Sequence, residues 1–256
     1  MKKLILNIFS LLSKSKTLYT FSKKIVDYYR NENNCEIETN GEMDFIRKNK
    51  DSFKIIFDVG ANIGEWTSLV SQIVPQARIY SFEPSRQTFN TLSSNKYSNM
   101  VSLHNIGLGE KNETVDFFIY GKDSTLNSAF SRDVNITESI NDIQKEKVKF
   151  ESLDNFCEGN KIEKISFLKI DVEGNELSVL KGAEKYISAG KVDYIQFEYG
   201  GTFIDAHILL KDVFEFFKNK PYTISKMMSS GLKTTPTYSR EFENFQYANY
   251  VAILKK

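Results

Sequence analysis

From residue 54 onward, apolar runs of strand length alternate with stretches of helical period. Lys54-Ile55-Ile56-Phe57-Asp58-Val59 predicts a buried strand. A helix is predicted over 65–74, stopped by Pro75, which can neither donate to a helix nor follow a helical residue easily. Strands are expected over 77–82 and 101–106, with a helix over 85–95 between them. Residues 114–120 read as an extra strand followed by a Ser/Asn-rich loop, and 148–153 as a short strand or extended entry. Ile165 to Ile170 is a continuous run, hence a strand buried on both faces. A helix over 175–188 turns Leu177, Leu180, Ala183 and Ile187 inward. The strand 192–197, the helix 208–218 and a closing hairpin of 222–227 with 247–254 complete the pattern, which shows no internal repeat. Such alternation predicts an α/β fold with an open, mostly parallel sheet covered on both sides. Ligands on such sheets bind beyond the carboxyl ends of the strands, near the switch in strand order. The residues that end each strand are therefore the first candidates for chemistry.

Residues 1–30 differ from the rest. They hold Lys2, Lys3, Lys14, Lys16, Lys23, Lys24 and Arg30 against one acid, Asp27, and apolar positions recur at near-helical spacing through Leu4, Ile8, Leu11, Leu18, Ile25 and Tyr29. This is a basic amphipathic helix. It either packs on the main domain or a second subunit, the reading favoured for most helical stripes, or lies on an anionic membrane face. Asn7 and Ser10 interrupt the run from Leu4 to Leu12, and Ser13-Lys14-Ser15 is a poor cleavage site, so a signal peptide is discounted. The polar segment Asn31–Asn40 reads as a linker, which divides the chain into 1–40, helix and linker, and 41–256, the main domain.

Composition narrows the function classes. Among 256 residues, Lys+Arg 34 and Asp+Glu 33 nearly cancel, so a globally basic nucleic-acid binder is not indicated. Cys35 and Cys157 lie far apart, with no metal-ligand spacing or disulfide framework, which suits a reducing, cytoplasmic setting. No uninterrupted apolar run is long enough to span a bilayer.

The first strand runs into Asp58-Val59-Gly60-Ala61-Asn62-Ile63-Gly64. Gly60 permits a sharp turn and close approach, Asn62 tolerates a left-handed backbone, and Gly64 lets a helix start against the sheet. The acid at Asp58 argues against a pyrophosphate and for a ligand carrying a cation. Glu83, ending the second strand 25 residues on, suits both hydroxyls of a ribose. A ligand with a ribose, a cation and no phosphate matches S-adenosylmethionine (SAM). Asp171 and Glu173 leave the fourth strand around a turn at Gly174, where they could orient a hydroxyl, take its proton or share a metal ion, although no metal is indicated. The alternative for Glu173 and Asn175 is to cap the next helix, and capping is preferred for Glu176. Glu198 ends the fifth strand on the same rim, and His207 follows as a surface residue or a base. His104 and Trp66 read as packing residues, and Lys169 as a snorkelling cation or the partner of an acid.

The ordered set Phe57-Asp58-Val59-Gly60-Ala61-Asn62-Ile63-Gly64, Phe82-Glu83-Pro84, Asn105-Ile106-Gly107-Leu108-Gly109 and Leu168-Lys169-Ile170-Asp171-Val172-Glu173-Gly174-Asn175-Glu176, with Leu180-Lys181-Gly182-Ala183, resembles the FkbM family of SAM-dependent methyltransferases across about residues 50–200. The resemblance implies a class I methyltransferase fold, Rossmann-like, with a seven-stranded sheet whose last strand is antiparallel. It implies methylation of hydroxyl oxygens, often on sugars of polysaccharides and glycolipids or on natural products. It also implies that Asp58, Gly60, Asn62 and Gly64 serve the methionine part and Glu83 the ribose. The family's acid after the third strand is absent, which leaves Asn105 as the nearest polar candidate for adenine. Asp171 or Glu173 is expected to act as base, with Glu198 and His207 in reserve. Two alternatives stay open: the same fold acting on an amine or carboxyl, or a non-catalytic scaffold binding a glycan or a membrane.

Overall fold

The computed structural model describes residues 9–10, 12–120, 128–130 and 143–255. Most of the expected Ser/Asn-rich loop, and residues 1–8 and 11 of the basic segment, lie outside them. Helix α1 (Lys16–Arg30) starts at Ser15, whose side chain accepts from the Leu18 N–H, and stops at Asn31 in a left-handed conformation. After α2 (Glu42–Asn49), strands and helices alternate: β1 (Ile55–Val59), α3 (Glu65–Ile73), β2 (Arg78–Phe82), α4 (Arg86–Ser94) and β3 (Val101–His104). Then come β4 (Gly107–Leu108), β5 (Glu113–Ile119), β6 (Gln144–Glu151), α5 (Leu153–Gly159) and β7 (Ile165–Ile170). The expected helix 175–188 is two helices, α6 (Glu176–Gly182) and α7 (Glu184–Ser188). They part where a side chain on Gly182 would meet the Gly109 carbonyl oxygen, so the turn is seated against the loop after β4. The chain closes with β8 (Val192–Tyr199), α8 (Thr202–Asp205), α9 (Leu210–Phe217), β9 (Tyr222–Met228), β10 (Gly231–Thr234) and β11 (Ala248–Leu254).

The main sheet has the order β10-β9-β11-β8-β7-β1-β2-β3. Strands β3, β2, β1, β7 and β8 are parallel, and β11 runs antiparallel to both β8 and β9. This is the Rossmann-like α/β arrangement of class I methyltransferases, with β10 folded back on β9 as an eighth, edge strand. β4, β6 and β5 form a separate small sheet. Strand order reverses between β1 and β7, so a crevice opens beyond Val59 and Ile170.

Side-chain alternation divides the core. Ile56, Ile79, Phe167 and Val251 face α2 and α3, packing with Phe45, Trp66 and Val70. Phe57, Phe82, Leu168 and Ile170 face the opposite side, with Phe156, Val179 and Ile187. The segment expected to be a linker is tied down. Asn31 donates to the Asn40 and Met227 carbonyls, Glu32 pairs with Lys226 at 2.9 Å, and the Asn33 N–H bonds the Tyr247 carbonyl.

Candidate active site

Two loops meet at the switch point. Gly60 and Ala61 both donate to the Phe82 carbonyl, and the Asp171 N–H donates to the Val59 carbonyl. Gly60 sits at φ +84°, and a side chain there would strike the Asp171 carbonyl oxygen, so glycine is needed for the two loops to touch. Asn62 is left-handed, as expected of it, at φ +48°. In the second loop Glu173 is left-handed at φ +55°. The Glu176 carboxyl accepts from the Val172 and Gly174 N–H groups and so ties this loop, while the Asn175 side chain makes no capping bond. Burial pushes the Glu176 carboxyl up to about 8.

Gly60, Asn62, Glu83, Asp171, Glu173 and Asn175 line one cleft, which continues into an apolar slot of Phe82, Pro84, Leu108, Phe117 and Phe150. The aromatic pair Phe117 and Phe150 comes from the small sheet, β5 and β6, and was not among the residues singled out from sequence. Its signal was period-two alternation, which tells that a side chain is covered but not what covers it. Glu83 is buried and accepts from the Asn62 and Ser85 N–H groups. Burial raises its carboxyl to about 7 in spite of those two bonds. The Asn62 Oδ1 atom is buried with no hydrogen-bond partner among the described residues.

The other face of the strand ends carries a polar network. Asp58, Lys169 and Gln196 stand in register on β1, β7 and β8, and Glu198 opposes Asn249 of β11. Period two therefore puts these side chains, with Asp171, on the face covered by α2 and α3. Lys169 lies 3.0 Å from Asp171 and 3.3 Å from Asp58, beneath the Trp66 ring. Asp58 is wholly buried and accepts a second bond, from Thr67 at 2.6 Å. Glu42 enters from α2 and accepts from Asn40, Asn249 and Gln196. Sequence offered no sign of Glu42, one acid among several in a polar stretch.

Charge in this network is unevenly shared. Burial disfavours the Lys169 ammonium, but Asp171, Asp58 and Glu42 outweigh it and hold its proton more tightly than usual. Burial likewise opposes the Asp171 carboxylate, but Lys169 and a hydrogen bond from Glu198 keep it ionised below its ordinary range. Glu198 is raised well above its range, first by burial and then by Asp171 and Glu173. The pair thus holds one proton, on Glu198. Burial, then Glu198, Glu42 and Asp171, also raise the nearby Tyr247 phenol.

Five residues singled out from sequence stand away from the cleft lining: Asp58 and Glu198, in the polar network, and Gly64, Asn105 and His207. Gly64, at φ +89°, starts α3 in close contact with Tyr97 and Leu92. The Asn105 amide is engaged by the Glu83 and Pro84 carbonyls, bracing the turn after β2. His207 is exposed, with φ +54°. Asp58 is joined to the cleft only through Lys169, since alternation points it away from Val59 and Phe82. His104 stacks on Phe82 at 5.1 Å. Among the described residues, no group of three or more His, Cys, Asp or Glu side chains is placed to hold a metal ion.

The residues fit SAM. A flat base matches the apolar slot, ribose hydroxyls can donate to the remaining lone pairs of Glu83, a donor group can complete Asn62 Oδ1, and a cation suits the side carrying Asp171 and Glu173.

The chain is similar to known methyltransferases. The family model described as Methyltransferase FkbM domain matches residues 58–224. Methyltransferase 1 of Beauveria bassiana is 33% identical over 149 residues, covering 52% of this chain and 59% of that protein. Hexuronic acid methyltransferase AglP of Haloferax volcanii is 29% identical over 147 residues, covering 56% of each. The matches thus span little more than half the length of these relatives. Among solved structures, Methyltransferase FkbM from Methylobacillus flagellatus KT aligns with a TM-score of 0.49 at 20% identity, over 78% of this chain and 44% of that one.

Proposed function

Because the chain belongs to the FkbM methyltransferase family, we propose that it transfers the methyl group of SAM to a hydroxyl oxygen, and that a sugar carries the hydroxyl. The observation that carries this reading is the Asp171 carboxylate, kept ionised by Lys169 and opening onto the same cleft as Glu83 and Asn62. A relative named for a hexuronic acid supports the sugar.

Bound in the cleft, SAM supplies an electrophilic methyl on a sulfonium that leaves readily. The chain's own residues do the rest. Glu83 accepts from the ribose, and Asn62 Oδ1 accepts from a donor on the methionine part. Aligning acceptor oxygen and methyl contributes up to about 7–11 kcal/mol. Asp171 accepts the proton that the acceptor oxygen gives up, while the hydrogen bond from protonated Glu198 and the charge of Lys169 hold the carboxylate in place. We assign Asp58 and Glu42 to positioning, through Lys169 and Gln196 respectively. Glu173, on the cleft wall, faces the acceptor. The surrounding acids disfavour a carboxyl acceptor by repulsion. The reaction belongs in the cytoplasm, where the two cysteines remain free.

Calorimetry with SAM tests the cofactor, and absence of binding would leave a scaffold. Labelled SAM with a glycan extract, followed by mass analysis of the product, tests the acceptor. A methyl ether stable to mild base is expected; a base-labile ester or an N-methyl product would overturn the hydroxyl assignment.

A further inference from the structure

Helix α1 is an amphipathic element whose apolar face is left largely exposed by the described residues. None of its fifteen side chains is buried by the described residues. Leu18, Phe21, Ile25 and Tyr28 follow the 3, 4, 3 spacing of one helical face, with Tyr29 beside them; Leu18 is half-buried, and the other four are exposed, from 54% at Ile25 to 85% at Tyr28. The opposite side repeats Lys16, Thr20, Lys23, Asp27 and Arg30 on the same spacing. With Lys24, the helix carries four cations and one acid, net +3 (4 − 1).

The helix leaves the fold at a defined place. Asn31 bonds the Met227 carbonyl near the end of β9, and Asn33 bonds the Tyr247 carbonyl just before β11. β9 runs in the direction of β8, because β11 is antiparallel to both. The helix is therefore rooted on the rim where the parallel strands end, the rim that holds the cleft. Arg30, Lys226 and Lys233 line one groove at its root, together with Glu32 and Glu241.

We propose that α1 is a membrane-docking element that lies in the headgroup region of an anionic lipid bilayer, with its aromatic and aliphatic face toward the acyl chains. An interfacial helix needs this segregation of basic and apolar sides. Tyr19, Tyr28 and Tyr29 combine an apolar ring with a hydroxyl, the chemistry that settles at a membrane interface. The helix is about 22 Å long, too short to cross, and no helix among the described residues is long and apolar enough to do so. The cations on the opposite side supply the charge complementarity that an anionic surface, rather than a second copy of this basic helix, satisfies. With the methyl-transfer reading, on which this last step rests, docking brings the strand-end rim to the lipid surface and makes a lipid-anchored glycan the acceptor.

The test is sedimentation of the full chain with phosphatidylcholine vesicles, with and without phosphatidylglycerol. Co-sedimentation with the anionic vesicles is expected, weakening as salt rises. Ile25→Glu should lower vesicle partitioning by about tenfold or more while leaving the melting temperature and SAM binding unchanged. Should Ile25→Glu disturb folding, the Lys16→Glu/Lys24→Glu double variant, altered only on the polar side, decides by the same loss of anionic binding. Equal sedimentation with both lipids, none with either, or undiminished binding by the folded variants overturns the proposal. So does a dimer in light scattering that Ile25→Glu dissociates. Vesicle binding without SAM binding would instead sink the methyl-transfer reading and leave the docking helix standing.

Discussion

Lys169 donates to Asp171 across 3.0 Å at the end of β7, and this contact decides which of two touching carboxyls carries the charge. A hydrogen bond links the Glu198 and Asp171 carboxyls, lowering Asp171 and raising Glu198, so the two do not ionise alike. The cation lies on the Asp171 side, so the proton rests on Glu198. The base proposed for the reaction is thereby poised as an anion without needing a histidine.

Asp171→Asn removes the proton acceptor and keeps the shape. Turnover should fall about 10²–10⁴-fold with SAM binding retained, as read by single-turnover kinetics and calorimetry. Undiminished turnover would take Asp171 out of the mechanism.

Glu198→Gln preserves a hydrogen bond to Asp171 but cannot ionise. The wild-type kcat–pH profile should contain an inflection for the raised carboxyl, and the variant should lack it. An inflection present in both would assign that titration to another group.

Glu83, raised from 4.5 to about 7, is protonated in the free protein under mildly acidic conditions. Ribose hydroxyls donate best to the carboxylate, so SAM binding should tighten as pH rises through about 7, with a proton released. The sign for stability is opposite. A carboxyl raised on folding contributes most below 4.5, and the contribution is lost as pH rises through about 7. Calorimetry in buffers of different ionisation enthalpy detects the proton, and Glu83→Gln should weaken binding about 10–100-fold.

Lys169→Met leaves Asp58 and Asp171 without their shared cation. Stability should drop by about 3–5 kcal/mol in urea unfolding, because an uncompensated buried charge costs more than a lost surface pair. A loss under about 1 kcal/mol would show that the cation is solvated rather than paired.

Gly60→Ala adds a methyl where the Asp171 carbonyl oxygen already lies, at a φ of +84°. A cost of about 1–3 kcal/mol or more and loss of SAM binding are expected, since the β1 and β7 loops can no longer touch.

The sequence by itself determined the alternation of strands and helices, the sheet class, and the rim on which the acids lie. Each of these follows from local periodicity: a buried strand ending Lys-Ile-Asp, or a turn written Gly-Ala-Asn-Ile-Gly, states its conformation within a few residues. Tertiary structure decided how those acids divide their work. Asp58 and Glu83 look alike as acids at strand ends, yet alternation points Asp58 away from the cleft toward Lys169 and Thr67, while Glu83 lines the cleft. Glu42 and Asn249 join the network only because α2 covers the same face that β11 completes. Asp171 and Glu198 become a proton-sharing pair only because β7 and β8 are neighbours. Burial and cross-strand register are properties of the assembled sheet, and they set the charge on every group in the site.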